Sequence, residues 1–162
     1  AIEAVAKVVR KVPHVRLIVA GSGSAAYVDK CRNLARSLGV QDSVKFIGYT
    51  DDPFRIFLEA DAALMCSRNE AQGRVTIEAM AACRPVIGHN QGGTPEIVED
   101  ERTGLLYSGG PDELASCMLR LLDNPGWARE LGEKGWQTAV EKFSIESCGR
   151  QVYQVLQQAT RT

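Results

Sequence analysis

The sequence predicts an α/β fold: a parallel sheet with helices on both faces and a helical C-terminal tail. Three observations carry the prediction. Short apolar runs alternate with amphipathic stretches between residues 15 and 107. Glycine-rich turns follow several of the runs and open the next helix. From Asp112 onward only helical periodicity remains. Strands that alternate with helices are joined by right-handed crossovers, which makes them parallel and leaves both sheet faces to be covered.

Ile2–Lys11 reads as a helix, and "VRLIVAG" (Val15–Gly21) as a buried strand running into a glycine turn. Ala25–Leu38 carries Val28, Cys31, Leu34, Ala35 and Leu38 at helical spacing, with Gly39 as its stop. "VKFIG" (Val44–Gly48) is a second strand. "DDP" supplies an acidic cap and a first-turn proline for a short helix, Pro53–Glu59. Strand "AALMC" (Ala62–Cys66), helix Arg74–Cys83, strand "PVIG" (Pro85–Gly88), a short helix near Pro95–Val98 and strand "TGLLY" (Thr103–Tyr107) follow. The tail reads as helices Asp112–Asp123, Pro125–Lys142 and Ile145–Ala159, with apolar stripes Leu114/Met118/Leu121/Leu122 and Val152/Val155/Leu156.

Length and composition narrow the function classes. The 162 residues make one domain, and 44% apolar with 24% charged residues is ordinary for a globular fold. A net charge of −1 argues against a general nucleic-acid or membrane-surface role. No apolar run approaches the ~20 residues of a spanning helix. The segment "AIEAVAKVVRKVPHV" has no long apolar signal core. The five cysteines, at 31, 66, 83, 117 and 148, form no C-x-x-C pair and sit mostly among apolar neighbours. They read as buried reduced thiols, which suits the cytoplasm. Two histidines leave few ligands for a structural zinc.

A parallel sheet collects ligands at the carboxyl ends of its strands. Three turns should lie there, on one edge: "GSGS" (Gly21–Ser24), "SRNEAQGR" (Ser67–Arg74) and "HNQGGT" (His89–Thr94). Gly21 and Gly23 allow close approach of a phosphate to backbone N–H groups, but Ala26 and Tyr27 fill the place of a third fingerprint glycine. A plain strand–helix turn fits "GSGS" equally well. The second turn is more informative. Glu70 and Glu78 are eight positions apart, and on one helix eight steps of about 100° leave side chains roughly 80° apart. With the helix opening at Gly73 or Arg74, Glu70 lies in the loop and Glu78 inside the helix. The N-terminus between them offers free N–H groups and a positive dipole end to a diphosphate. A carboxylate on either side is suited to sugar hydroxyls. The alternative is that Glu70 only complements the dipole and Glu78 faces water.

The run "NEAQGRVTIEAMAACRPVIGHNQGGTPEIVEDERTGLLY" resembles the signature region of the retaining glycosyltransferases of family four (glycosyl transferases group 1), a GT-B group that uses nucleotide-sugar donors. The family's E-x7-E, "EAM" helix, "PVI" strand, "GGxxEIV" turn and "G-L-L" strand occur here in order. The preceding "VRLIVAGSG", "VKFIGYTDD" and "IFLEADAALMCS" fit as well, so the resemblance spans essentially the whole chain. It implies a Rossmann-like domain, one half of a GT-B fold, and a role for each matching position. Glu70 would contact the donor sugar near the reacting centre, and Glu78 the ribose hydroxyls. Backbone N–H groups from Gly73, Arg74, Val75 and Thr76 would meet the sugar and diphosphate. The segment from Tyr49 would pair with the base, and Gly21 and Gly23 would line the diphosphate side. The donor would be a UDP-, GDP- or ADP-type nucleotide sugar. The acceptor would be a glycan, lipid or small molecule, and neither a metal nor a nucleic acid is expected.

Two positions depart from the family pattern. Gln72 stands where an aromatic residue is usual, and Cys83 where a glycine is usual, so the helix is expected to end less tidily there. The family's complete enzymes also have an N-terminal acceptor domain and a diphosphate-binding arginine and lysine just ahead of the first helix. Residues 1–162 are therefore expected to be a single C-terminal, donor-binding domain, inactive alone, cytoplasmic or attached to a membrane through the absent half. Arg68, Arg74 and Arg84 lie near the motif without being assigned the missing roles; Arg74 reads as a helix-start residue reaching toward the cleft or as surface. His89 reads as a cleft contact or a hydrogen-bonded loop residue, His14 as an exposed turn residue, and Trp127 and Trp136 as residues that pack in the tail or against the absent half. Two competing readings are a non-catalytic nucleotide-binding or interaction module and another GT-B enzyme such as a sugar-nucleotide epimerase.

Overall fold

The structure, a computed structural model, describes residues 1–67 and 70–160. Helix α1 (Ile2–Val8) leads to β1 (Leu17–Ala20), α2 (Ala25–Ser37), a single 3-10 turn (Gln41–Ser43) and β2 (Val44–Gly48). Then come α3 (Pro53–Glu59), β3 (Ala63–Met65), α4 (Arg74–Ala81), β4 (Val86–His89), α5 (Thr94–Ile97) and β5 (Gly104–Tyr107). The tail is α6 (Pro111–Asp123), α7 (Pro125–Phe143) and α8 (Ile145–Ala159). Every strand pairing is parallel, so the predicted α/β class holds. The pairing forms two ladders instead of one continuous sheet: β1–β2, and β3–β4–β5. In the second, Ala63 faces Val86, and Val86 faces Gly104. β4 is buried at all four positions, as a central parallel strand must be when both faces are covered.

One core joins the ladders. Leu17 and Val44 of the first belong to the same buried cluster as Ile87 and Leu105 of the second, together with α1 and α6. A smaller cluster, centred on Met80, Ala79, Val86, Val98 and Ala139, fixes α4 between the sheet and α7. Here α7 comes unusually close. A Cβ at Gly132 would run into the Cys83 carbonyl, and one at Gly135 would lie 3.3 Å from the Thr103 carbonyl and 3.5 Å from Met80 Cγ. α7 thus holds α4 from behind, and its Lys142 reaches Glu99 at 3.0 Å. Glu99 also pairs with Arg102. The hydrogen bonds from Lys142 and Arg102 hold the Glu99 carboxyl below the usual carboxylate range.

Helix α4 ends two residues before the predicted Cys83. Ala82 caps it, and Cys83 takes a left-handed backbone at φ 56°. The cysteine occupies the conformation that a glycine would take freely. The reading of the cysteines as buried thiols needs correction. Cys83 and Cys148 are exposed, Cys31 and Cys66 are half-buried, and only Cys117 is buried. Apolar neighbours in sequence do not guarantee burial at the end of a helix or on its outer face. Burial pushes the Cys117 thiol up.

The tail diverges at its end. Trp127 packs on the main core, and the Arg120 guanidinium lies 5.0 Å from its ring centroid. Trp136 is instead 45% exposed. α8 is capped by Ser144 and anchored by buried Ser147, whose hydroxyl donates to the Glu141 carbonyl at 2.6 Å. From Cys148 to Thr160 every residue is exposed, including the stripe Val152, Val155 and Leu156. Among the described residues no helix is long and apolar enough to cross a membrane.

A non-glycine residue held left-handed costs roughly 1–2 kcal/mol, and the exposed Cys83 side chain offers little packing in return. Cys83→Gly is therefore expected to raise stability by about 1 kcal/mol, read as a higher denaturant midpoint at unchanged slope.

Candidate functional site

β3 ends at Met65, and the chain crosses to α4 through a loop that closes on Gly73. Gly73 is the N-cap residue, left-handed at φ 60°, and a Cβ there would press on Ile97 Cδ1 at 2.9 Å. Glu70 is half-buried, and its Oε1 accepts the Gly73 N–H at 3.0 Å. The carboxylate thus caps the helix from the loop. Glu78 is the fifth residue of α4, its side chain 38% exposed, with Arg74 Nη2 4.0 Å from Oε1. The two glutamates bracket the start of α4, one before it and one a turn inside. Arg74 lies at the helix start with its side chain 80% exposed.

The four N–H groups at this end differ in availability. Gly73 donates to Glu70, and Thr76 to the Gly73 carbonyl at 2.8 Å. Arg74 and Val75 have no acceptor among the described residues. They are the first two residues of the helix, where no carbonyl lies one turn back. Thr76 is 1% exposed, and its hydroxyl has no partner among the described residues. An unsatisfied buried hydroxyl beside two free N–H groups at a helix start is an anion-seeking arrangement.

The third turn joins this one directly. β4 ends at His89, and "NQGG" leads into α5. Gly93 N–H donates to the Glu70 carbonyl at 2.8 Å, and Asn90 N–H to the Tyr107 carbonyl at 2.8 Å. Thr94 is fully buried, with no partner for its hydroxyl among the described residues. His89 belongs to the strand and not to the loop. It is 9% exposed and meets the Tyr107 ring edge-to-face at 5.1 Å, and its Nδ1 has no hydrogen-bond partner among the described residues. Among the described residues no three His, Cys, Asp or Glu side chains converge on one point.

The first turn follows β1, in the other ladder. Gly21, at φ 125°, donates its N–H to the Gly48 carbonyl at 2.8 Å, and Ser24 caps α2 by accepting from Tyr27 N–H at 3.3 Å. Gly21, Gly23, Tyr27 and Gly48 line an open pocket of about 180 Å³. Tyr49, beside it in the chain, is 75% exposed. Among the described residues no hydrogen bond joins Gly21–Ser24 to the other two turns. Arg84 is not near the helix start: it sits past the opposite end of α4 and donates to the Leu58 carbonyl at 2.9 Å. Arg68 lies outside the described residues. Two features of the site go beyond the sequence expectations: the buried Thr76 hydroxyl, beside the backbone expected there, and the close approach at Gly92–Gly93, expected only as a turn. A double glycine next to a helix-opening Thr-Pro is a signal for close backbone approach.

The model for the glycosyl transferases group 1 family matches residues 1–138. N-acetyl-alpha-D-glucosaminyl L-malate synthase of Bacillus anthracis is 31% identical over 148 residues, which is 90% of this chain and 38% of that protein. D-inositol 3-phosphate glycosyltransferase of Corynebacterium diphtheriae is 32% identical over 157 residues, 88% of this chain and 37% of that protein. The chain thus spans a little over a third of the length of these relatives. Among solved structures, Anabaena HepE in complex with UDP superposes with a TM-score of 0.90 at 26% identity, over 97% of this chain and 44% of that one. The same protein is also known with UDP-glucose. Sucrose-phosphate synthase of Thermosynechococcus elongatus gives 0.85 at 30% identity, over 99% and 42%. The fold is Rossmann-like and matches C-terminal domain structures of GT-B glycosyltransferases. The parallel ladders, the helix start flanked by Glu70 and Glu78, and the match over residues 1–138 lead to one conclusion: this chain belongs to the glycosyl transferases group 1.

Proposed function

We propose that this chain is the donor-binding domain of a retaining glycosyltransferase of family four, and that it binds a nucleotide diphosphate sugar across the start of α4. The observation that carries the reading is the pair of free N–H groups, Arg74 and Val75, beside the unpartnered Thr76 hydroxyl and between two carboxylates. The diphosphate takes those donors. Glu78 accepts from the ribose hydroxyls. Glu70 keeps one oxygen on the Gly73 N–H and turns the other toward the sugar next to the reacting carbon. The backbone from Tyr49 and the Gly21–Gly23 turn take the base and the outer diphosphate edge. A UDP-type donor is the first to test, because similar proteins hold UDP and UDP-glucose.

Catalysis follows from where charge builds. As the glycosyl bond to the diphosphate breaks, negative charge grows on the leaving oxygen, and the helix start stabilises it without reorganising. Cations for the diphosphate come from an N-terminal half of the longer enzyme, which also binds the acceptor molecule that carries the attacking hydroxyl, and no metal is required. The sugar passes to that hydroxyl with its configuration retained. The enzyme works in the cytoplasm.

Removing Glu78 deletes a charge-assisted hydrogen bond worth about 1.5–3 kcal/mol. Glu78→Ala is therefore expected to weaken UDP binding about 10- to 100-fold by calorimetry. Glu70→Ala in the complete enzyme should lower kcat about 100-fold while UDP affinity stays within about twofold. Wild-type kinetics in both variants would sink the assignment. Thr76→Val removes a buried hydroxyl that has no partner, so stability should rise by about 1 kcal/mol while UDP binds less tightly; a fall in stability would mean that the hydroxyl is satisfied. The 162-residue chain by itself is expected to show no transfer from any nucleotide sugar. Turnover above the buffer rate in a product-release assay would refute that.

A further inference from the structure

We propose that Gly92 and Gly93 are positioning residues that hold Glu70 at the helix start by direct backbone contact. The proposal rests on the reading of Glu70 as the carboxylate beside the reacting centre. It comes from the space around the two glycines. A Cβ at Gly92 would fall on the Glu70 carbonyl and lie 3.1 Å from its amide nitrogen. One at Gly93 would sit 2.5 Å from the Ala71 carbonyl. Real Cβ atoms do not approach so closely, and here the obstacle is backbone, which cannot swing aside as a side chain can. At the same place Gly93 N–H donates to the Glu70 carbonyl at 2.8 Å. On the other side, the Glu70 carboxylate is held by the Gly73 N–H at 3.0 Å. Glu70 is thus fixed at its backbone by one loop and at its carboxylate by the helix start, while Ile97 of α5 crowds Gly73. The β4–α5 turn and the β3–α4 loop form one unit, and Glu70 is where they meet.

The two glycines differ in a way that makes the idea testable. Gly92 is left-handed at φ 60°, so most replacements there combine backbone strain with the clash. Gly93 has φ −76°, which alanine adopts without strain. Gly93→Ala therefore changes little besides the contact with the 70–71 backbone. Gly92→Asn is a second variant, because asparagine tolerates the left-handed region and brings mainly the Cβ clash. Gly110, at φ −84° with nothing within 4 Å of a Cβ, is the control.

The test is a double-mutant cycle in the complete enzyme, read as kcat and KM for the nucleotide sugar, with UDP affinity measured by calorimetry. Gly93→Ala and Gly92→Asn should each lower kcat at least tenfold, with UDP affinity within twofold of wild type and Gly110→Ala unchanged. Gly93→Ala/Glu70→Ala should be no slower than Glu70→Ala alone, since a brace has nothing to position once the carboxylate is gone. With 15N-glycine labelling, the Gly73 amide resonance in Gly93→Ala should move toward its position in Glu70→Ala. Multiplicative losses in the double variant overturn the proposal. So does a kcat loss matched by a UDP-affinity loss, or wild-type kinetics in Gly93→Ala. Failure of both Gly93→Ala and Gly92→Asn to fold, seen by circular dichroism, also overturns it, because the glycines would then serve the fold alone. If Glu70→Ala keeps wild-type turnover, the functional reading of Glu70 has failed, and the Gly73 resonance decides the brace separately: an unmoved resonance in Gly93→Ala rules it out.

Discussion

The hydrogen bond from Gly93 N–H to the Glu70 carbonyl ties together the two loops that build the site. The segment between β3 and α4 has no regular structure of its own over residues 70–73. A loop of that kind needs its backbone groups satisfied from outside if it is to keep one conformation. Here one amide supplies an anchor at Glu70, and the missing Cβ atoms of Gly92 and Gly93 allow the two backbones to come that close. The Glu70 carboxylate and the start of α4 take their relation to each other from this contact.

The second support lies behind the helix. α4 has eight residues, too few to persist in water by itself, since isolated helices below about 12–15 residues are marginal. Its order comes from Ala79 and Met80, both fully buried, and from α7, whose Gly132 and Gly135 allow contact at backbone distance. Burial of a side chain the size of Met80 contributes about 1.5–3 kcal/mol. Against that stand four buried polar groups without partners among the described residues: the hydroxyls of Thr76 and Thr94, Nδ1 of His89 and Nε of Arg84. Arg84 lies past the far end of α4, but the other three lie in α4, at the end of β4 or at the start of α5, around the same two loops. Local cost gathered where a ligand is expected is a pattern of functional sites, maintained by well-packed surroundings.

The far end of the chain shows the opposite balance. Val152, Val155 and Leu156 have the spacing of a packing stripe, yet they are 58–64% exposed. Ser144 caps the start of α8, and the Ser147 hydroxyl ties it to the Glu141 carbonyl of α7. The family match ends at residue 138, ahead of this helix.

The sequence by itself determined the order and kind of the elements, because alternating apolar runs, caps and glycine stops act over a few residues. "DDP" opens α3, Gly39 lies just past α2, and the five strands fall where the apolar runs stand. It also separated Glu70 from Glu78, since the angle between positions eight apart is a matter of helix geometry alone. Other features were decided only by the tertiary structure. The division into two ladders depends on which strand edges come within hydrogen-bonding distance. The exposure of Cys83 and Cys148 depends on what packs beside them. The engagement of the Gly73 and Thr76 amides, against the freedom of Arg74 and Val75, depends on where one glutamate oxygen and one carbonyl come to rest. The brace on Glu70 joins residues more than twenty positions apart. It exists only because a three-dimensional path brings two backbones together, and no local pattern encodes a distance between backbones.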